Sequence, residues 1–330
     1  LKKIDVISIC NALVDILIQA RDEDLTKLNL TKGVMHLVDH ERQRAVLGHF
    51  GTAPRTVELG GSSLNAIRAL ASLGKKAVFA GMVSKDEFGE RIHERLHQLG
   101  IDGHLTFGNE DATGSCVILI TPDGERTMNT HLGSSRLYDK AAVPLDKIKD
   151  ARLFHFSGYQ WDTDGQKDAM MQAIKLASES GTLVSFDVAD PFVVQRHRDA
   201  FVPIIREYAD IVFTNKEEAR MLYEGSPEKA AAEIAATGAI AVVKLGAEGA
   251  LVQKGSTKHL IAPVKTKVID TTAAGDMFAA GFLYGFLSDR DLDVCGQMAA
   301  TLASDVISRI GATVSREALD TVAGWKTNSR

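Results

Sequence analysis

The chain has 330 residues, 45% of them hydrophobic and 25% charged, with a formal net charge of −5. That is enough apolar material for a sizeable core and suits one large α/β domain. The acidic balance and the lack of any Lys/Arg cluster argue against a nucleic-acid partner, and no apolar run approaches the ~18 residues of a membrane span. Cys10, Cys116 and Cys295 are far apart and form neither a CxxC pair nor a zinc spacing, which suggests buried thiols in a reducing compartment. Leu1-Lys2-Lys3 leads straight into a strand-like run with no h-region, so the expected location is the cytoplasm.

Residues 5–10 are a short apolar run, partly β-branched, that reads as a buried strand. Asn11 and Asp15 follow, where ligand-binding loops sit in parallel sheets; a turn Asn and a solvent Asp give the same pattern. A helix is expected over about 39–47. A half-exposed strand at 56–59 then runs into Gly60-Gly61-Ser62-Ser63-Leu64-Asn65. A glycine pair opening a helix lets backbone approach a ligand closely, although a tight turn with Ser62 as N-cap explains it as well. Residues 76–81 read as a strand and 86–99 as a helix closed by Gly100. Residues 112–121 and 125–132 flank Pro122-Asp123-Gly124, a strong turn signal, and form a hairpin.

The second half is regular. Strands at 152–156, 182–187, 209–214 and 240–245 alternate with helices at about 165–180, 191–206 and 215–236. Hairpin strands follow over 248–262, and a helix over 291–310 carries the stripe Val294, Met298, Leu302, Val306 and Ile310. This alternation predicts an α/β body, a parallel sheet with helices on both faces. Two insertions, about 12–59 and 104–132, make a small β part.

Polar and small residues recur after the predicted strands, positions that share one edge of a parallel sheet. Asn215-Lys216-Glu217-Glu218 fits a capping box and also a polar pair near metal-bound phosphates; both can hold at once. Gly246 and Gly249 flank a turn after Lys244, and Asp187 and Asp190-Pro191 end another strand. The most informative stretch is 268–282. Asp270-Thr271-Thr272 leads into three small residues, Ala273, Ala274 and Gly275, then Asp276 and an apolar helix. Free N–H groups at such a helix start favour an anion such as phosphate. Asp276 opposes that anion, and its simplest use is to take a proton from a hydroxyl attacking the phosphate. Neither GxxxxGK[ST] nor GxGxxG occurs.

On these motifs the chain resembles the ribokinase-like (PfkB) carbohydrate and nucleoside kinases over essentially its whole length. Residues 270–276 resemble the family's D-T-x-G-A-G-D signature, and Gly60-Gly61…Asn65, Asn215-x-x-Glu218 and Gly246-x-x-Gly249 match its other motifs in order. Asn11-Ala12-Leu13-Val14-Asp15-Ile16, Thr113-Gly114-Ser115-Cys116 and Asp190-Pro191-Phe192 make it most similar to adenosine kinases and their bacterial relatives.

The resemblance implies a three-layer α/β/α body with a mostly parallel central sheet and a small β-sheet lid. It implies ATP- and Mg²⁺-dependent transfer to the primary 5′-hydroxyl of a nucleoside, adenosine first. A sugar kinase acting on ribose, fructose or a keto-deoxy acid is the alternative, and a non-catalytic nucleotide-binding protein the third reading. By resemblance, Asp276 is the base, and the amides of Ala273, Ala274 and Gly275 form the anion hole. Asn11, Asp15, Gly60, Gly61, Ser62, Asn65 and Cys116 lie on the acceptor side. Lys244, Gly246 and Gly249 lie by ATP, and Asn215 and Glu218 organise Mg²⁺ through water. Asp270 and Thr272 are candidates to hold K⁺. Tyr159 or Trp161 is the candidate ring to stack on a purine. Ala273 stands where the family usually has Gly; an alanine keeps its N–H but is unstrained only at negative φ. Lys244 stands where a Thr is frequent. The oligomeric state is left open.

Overall fold

Nine strands form the large sheet of the computed structural model, which describes residues 2–325. Ile4–Ile9 lies inside it, between Ala151–Ser157 and Ala77–Ser84. Leu183–Asp187, Ile211–Asn215 and Ile240–Lys244 continue on one side and Asp102–Gly108 closes the other. All seven run parallel, so their C-terminal ends share one edge. Ala250–Lys254 and Thr257–Ile261 extend the sheet antiparallel, as the hairpin expected there.

Alternate strand residues feed two cores. Val6 joins Leu64, Phe79, Phe213 and Phe282 on one face, under helices Ser62–Ser72, Ala274–Leu287 and Leu292–Val306. Ile7 and Ile9 join Phe154, Phe156, Phe186 and Phe201 on the other, under Asp164–Glu179, Pro191–Glu207, Lys216–Tyr223 and Pro227–Ala236. The result is the expected three-layer α/β/α body. No described helix is long and apolar enough to cross a membrane.

A second sheet has five strands in the order Met35–Leu37, Arg126–Gly133, Thr113–Ile120, Leu13–Gln19 and Arg55–Gly60. Helix His40–Phe50 covers one face. There Gln43 donates to the carbonyls of Ser115 at 2.8 Å and Asn129 at 3.2 Å and accepts from the Ser115 hydroxyl. The opposite face carries Asp15, Cys116, Ile118 and Met128 toward the large sheet's C-terminal edge.

Several boundaries differ from expectation. Asp102–Gly108 pairs with Ala77–Ser84 in the large sheet, so the second contribution to the small sheet begins at Thr113 rather than 104. The segment after Asn11 is itself a strand, which fixes Asp15 in the small sheet between Arg55–Gly60 and Thr113–Ile120. Helix 215–236 is two helices. Glu224 turns left-handed at φ 49°, Ser226 caps a new helix, and Pro227, lacking an N–H, takes its first position. Helix 291–310 ends at Val306, and Ile310, at 51% exposure, leaves the stripe. Helix Asp22–Lys27 and strand Met35–Leu37 lie in the charged region where no element was expected.

Phe282 fastens helix Ala274–Leu287 to the sheet, its buried ring meeting Phe213 edge-on at 5.5 Å. Phe282→Ala should therefore cost about 3–5 kcal/mol, measured by urea unfolding. A loss under about 1 kcal/mol would mean that the helix is held mainly by its helical neighbours.

Candidate active site

A cavity of about 280 Å³ opens where the small sheet faces the C-terminal edge of the large one. Its floor is the start of helix Ala274–Leu287. Ala273 is the N-cap; the Ala274 amide donates to the Thr271 carbonyl at 3.3 Å, and the next first-turn amides have no acceptor within the helix. Asp276 stands in that first turn. Its Oδ1 accepts from the Ser62 hydroxyl at 2.6 Å and its Oδ2 from the Asn65 amide at 2.9 Å. Burial raises its pKa, the Ser62 and Asn65 bonds oppose this, Asp187 adds to it and Lys244 opposes it.

Asp15 enters the same cavity from the small sheet. It is 8% exposed, and among the described residues nothing donates a hydrogen bond to its carboxyl. Burial and the nearby Asp276 push its pKa up to about 7, against the pull of Arg68 and Arg126. The glycine pair makes room for these groups. A Cβ on Gly60 would lie 2.1 Å from Asp15 Oδ1, and one on Gly61, already at φ 101°, would lie 2.5 Å from the Asn11 carbonyl oxygen. Only glycine permits this approach.

Asn11 lines the cavity with its polar atoms engaged elsewhere. Its Nδ2 donates to the Tyr159 carbonyl at 3.1 Å and its Oδ1 accepts from Gln166 at 2.8 Å. The half-buried Tyr159 lines the cavity and donates through its hydroxyl to Asp190 at 3.2 Å. Trp161 also lines the cavity; it is 4% exposed and packs edge-on against Phe201 at 5.8 Å, so most of its ring is in the core. Cys116 is buried against the cavity, where its sulfur accepts from Thr130 at 3.2 Å and burial pushes its thiol up to about 12. Met35, Leu37, Ile118, Met128, Phe192 and Val193 add an apolar wall.

Other expected residues lie beside the cavity rather than in it. Asn215 and Glu218 form the complete capping box. Asn215 Oδ1 accepts from the amides of Glu217 and Glu218 at 2.9 Å, and Glu218 accepts from the Asn215 backbone at 2.8 Å. Burial pushes Glu218 up to about 7, with Lys244 opposing. Lys244 turns inward, its Nζ 3.3 Å from both Asp187 oxygens. A Cβ on Gly275 would lie 3.2 Å from that Nζ, so the ammonium sits against the 273–276 turn. Burial lowers the Lys244 pKa, but Asp187 and Glu218 outweigh it and the net shift is upward. Gly246 and Gly249 form the following turn, both at positive φ.

Gln166 and Arg68 escaped the sequence reading. Gln166 was visible only as the far end of a Thr163-x-x-Gln166 capping box; its bonds to Asn11 and to the Ser135 carbonyl at 2.9 Å are long-range. Asp270 is fully buried, and its oxygens already accept from Thr272 N at 2.8 Å, Thr272 Oγ1 at 2.5 Å and Gly311 N at 2.9 Å. The Arg126 guanidinium lies 3.4 Å away. That set of donors and positive charge does not fit a monovalent cation on the Asp270 carboxylate.

A family profile described as pfkB family carbohydrate kinase matches residues 52–319. The chain belongs to the pfkB family. It is thus a kinase, a phosphotransferase. A probable sugar kinase protein from Rhizobium etli CFN 42 is similar in structure with a TM-score of 0.92 at 33% identity, over 98% of this chain and 99% of that one. The adenosine kinase from Sinorhizobium meliloti gives a TM-score of 0.91 at 33% identity with the same coverage. The adenosine kinase of Saccharomyces cerevisiae is 26% identical over 329 residues, 93% of this chain and 96% of that one.

In this pfkB kinase the alanine at 273 adopts φ 56°, the left-handed region where an alanine is strained. Ala189, at φ 81°, lines the same cavity, so two of the five non-glycine residues at positive φ among those described face one site. Ala273→Gly should relieve the strain and stabilise the fold by up to about 1 kcal/mol in urea unfolding, without loss of turnover. A destabilised variant would show that the left-handed turn costs nothing here.

Proposed function

We propose that this kinase transfers the γ-phosphoryl group of ATP to the primary 5′-hydroxyl of a nucleoside, with adenosine as the expected acceptor. One observation carries the reading. A single cavity holds the free carboxyl of Asp15, an apolar wall, and Asp276 at a helix N-terminus. Asp15 suits the ribose hydroxyls, whose donation favours its ionised form and satisfies a buried acceptor. The wall from Met35 to Val193, with the half-buried ring of Tyr159, suits a flat base, which a free sugar lacks.

Asp276 takes the hydroxyl proton as that oxygen bonds to phosphorus and the bond to ADP breaks. Its raised pKa makes it a better base than an ordinary Asp. The amides of the 273–276 turn and the Lys244 ammonium stabilise negative charge on the group in transfer. The small sheet acts as the lid and keeps water from competing. The turn at Gly246 and Gly249 lies on the nucleotide side.

Kinases of the pfkB family use ATP and Mg²⁺. Among the described residues no group of three or more His, Cys, Asp or Glu side chains forms a metal site. Asn215 and Glu218 would reach Mg²⁺ through water. When bound, Mg²⁺ neutralises phosphate charge.

ADP release measured with a panel of nucleosides and free sugars tests the acceptor. Adenosine should exceed every free sugar in kcat/KM by at least about tenfold, since stacking and wall contacts are lost without a base. Preference for ribose, fructose or a sugar acid overturns the nucleoside reading. Asp15→Ala should raise the KM for the acceptor by about 10–100-fold and leave that for ATP within about twofold. Equal effects on both substrates would place Asp15 outside the acceptor subsite.

A further inference from the structure

Asn65 presents a buried amide whose two ends differ in sign: the oxygen only accepts and the nitrogen only donates. Arg68 lies three residues on in helix Ser62–Ser72, on the same helical face. Its Nη1 donates to Asn65 Oδ1 at 3.2 Å and to the Leu59 carbonyl at 3.0 Å, and its Nη2 donates to Thr313 Oγ1 at 3.1 Å. Arginine carries donors only, so it can hold only the carbonyl end of the amide. The nitrogen end is then left facing Asp276 Oδ2, at 2.9 Å.

We propose that Arg68 is a positioning residue for phosphoryl transfer: its guanidinium locks the Asn65 amide in the one orientation that donates to Asp276. The inference rests on the reading of Asp276 as the base. Turned over, the amide would set oxygen against oxygen, and Asp276 would keep only the Ser62 bond. Arg68 does not line the cavity, so it does not touch a substrate; it acts on Asp276 through Asn65, and separately its charge draws down the Asp15 pKa. Because the same guanidinium bonds the carbonyl of Leu59, beside Gly60, the base is aligned to the strand that makes room for Asp15.

The charged and titratable surroundings set the sign of the effect. Arg68 faces Glu58, Arg95 and Asp15. Asp276 faces Asp187 and Lys244 from the large sheet, Asp15 from the small one, and the Tyr159 hydroxyl and Cys10 thiol. Of the groups around Asp276, the Asn65 and Ser62 donors and Lys244 favour its ionised form. Loss of the Asn65 donor raises the Asp276 pKa, so the base stays protonated to higher pH and activity returns only above it.

The experiment is kcat at saturating acceptor and ATP from about pH 5.5 to about 9, with the acceptor KM recorded beside it because the Arg68 charge also bears on Asp15, in wild type, Arg68→Met, Arg68→Gln and Arg68→Lys, with Asp276→Asn alongside. Arg68→Met and Arg68→Gln, which cannot reach the Asn65 oxygen as a guanidinium does, should move the acid limb up by about one unit. That is about a tenfold loss near pH 6, closing to within a few-fold of wild type near pH 9. Arg68→Lys, still able to donate, should keep the limb near its wild-type position. The Gln variant keeps the test alive if the Met variant does not fold, and melting curves identify that case. An unmoved acid limb, or a loss equal at every pH, overturns the positioning role, as does a Lys variant shifted as far as Met. If Asp276→Asn retains turnover, the base reading falls and the inference falls with it. If Asp276→Asn is inactive and the limb does not move, only the inference about Arg68 is lost.

Discussion

Two hydrogen bonds hold the centre of this molecule together. Ser62 and Asn65 reach Asp276 across sequence separations of 214 and 211 residues. They tie the first turns of two helices that pack on the same face of the large sheet. A carboxylate in so buried a place needs donors to stay ionised. In the role proposed for it, Asp276 also needs its two oxygens aimed, so that one meets the reacting hydroxyl at hydrogen-bond distance. The parallel sheet supplies the condition for both, since it gathers the ends of its strands and the starts of its helices along one edge.

Around that pair the site has two unlike sides. The small sheet brings Asp15 and an apolar wall, and the large sheet brings Lys244, Asp187 and the capped helix at Asn215. Each side leaves a particular group unspent. Among the described residues nothing donates a hydrogen bond to the Asp15 carboxyl, and beyond Ala274, whose amide reaches the Thr271 carbonyl at 3.3 Å, the opening amides of helix Ala274–Leu287 have no helical acceptor. Unspent buried polar groups are costly in an empty protein and useful only when a ligand satisfies them. The backbone at Ala189 and Ala273 is strained at the same place, as is common where a turn is shaped for a ligand rather than for stability.

Much of this was legible in the sequence, because the signals are local. Strand and helix periods placed the α/β body, Pro122-Asp123-Gly124 placed the hairpin, and small residues before Asp276 marked a helix start that favours anions. What escaped depends on partners distant in sequence. Nothing near Gln166 announces that it holds Asn11, and Arg68 looks like any surface arginine on an amphipathic helix until Thr313 and Leu59 close around it. The sequence offered Trp161 for stacking without showing its neighbours; the ring lines the cavity and also packs edge-on against Phe201 on another helix. The boundary at 104 failed for a related reason. An edge strand with half-buried residues carries too weak a pattern to say which of two sheets it joins.

The claim on which the rest depends is that Asp276 is the base, set between acceptor and phosphate. Its most direct test is Asp276→Asn, which keeps the shape and both neighbouring donors but removes the proton acceptor. Single-turnover rate and ATP affinity should be measured on the same preparation. The account predicts a rate lowered by about 10²–10⁴-fold with ATP affinity within about twofold of wild type. A rate within a few-fold of wild type would contradict it.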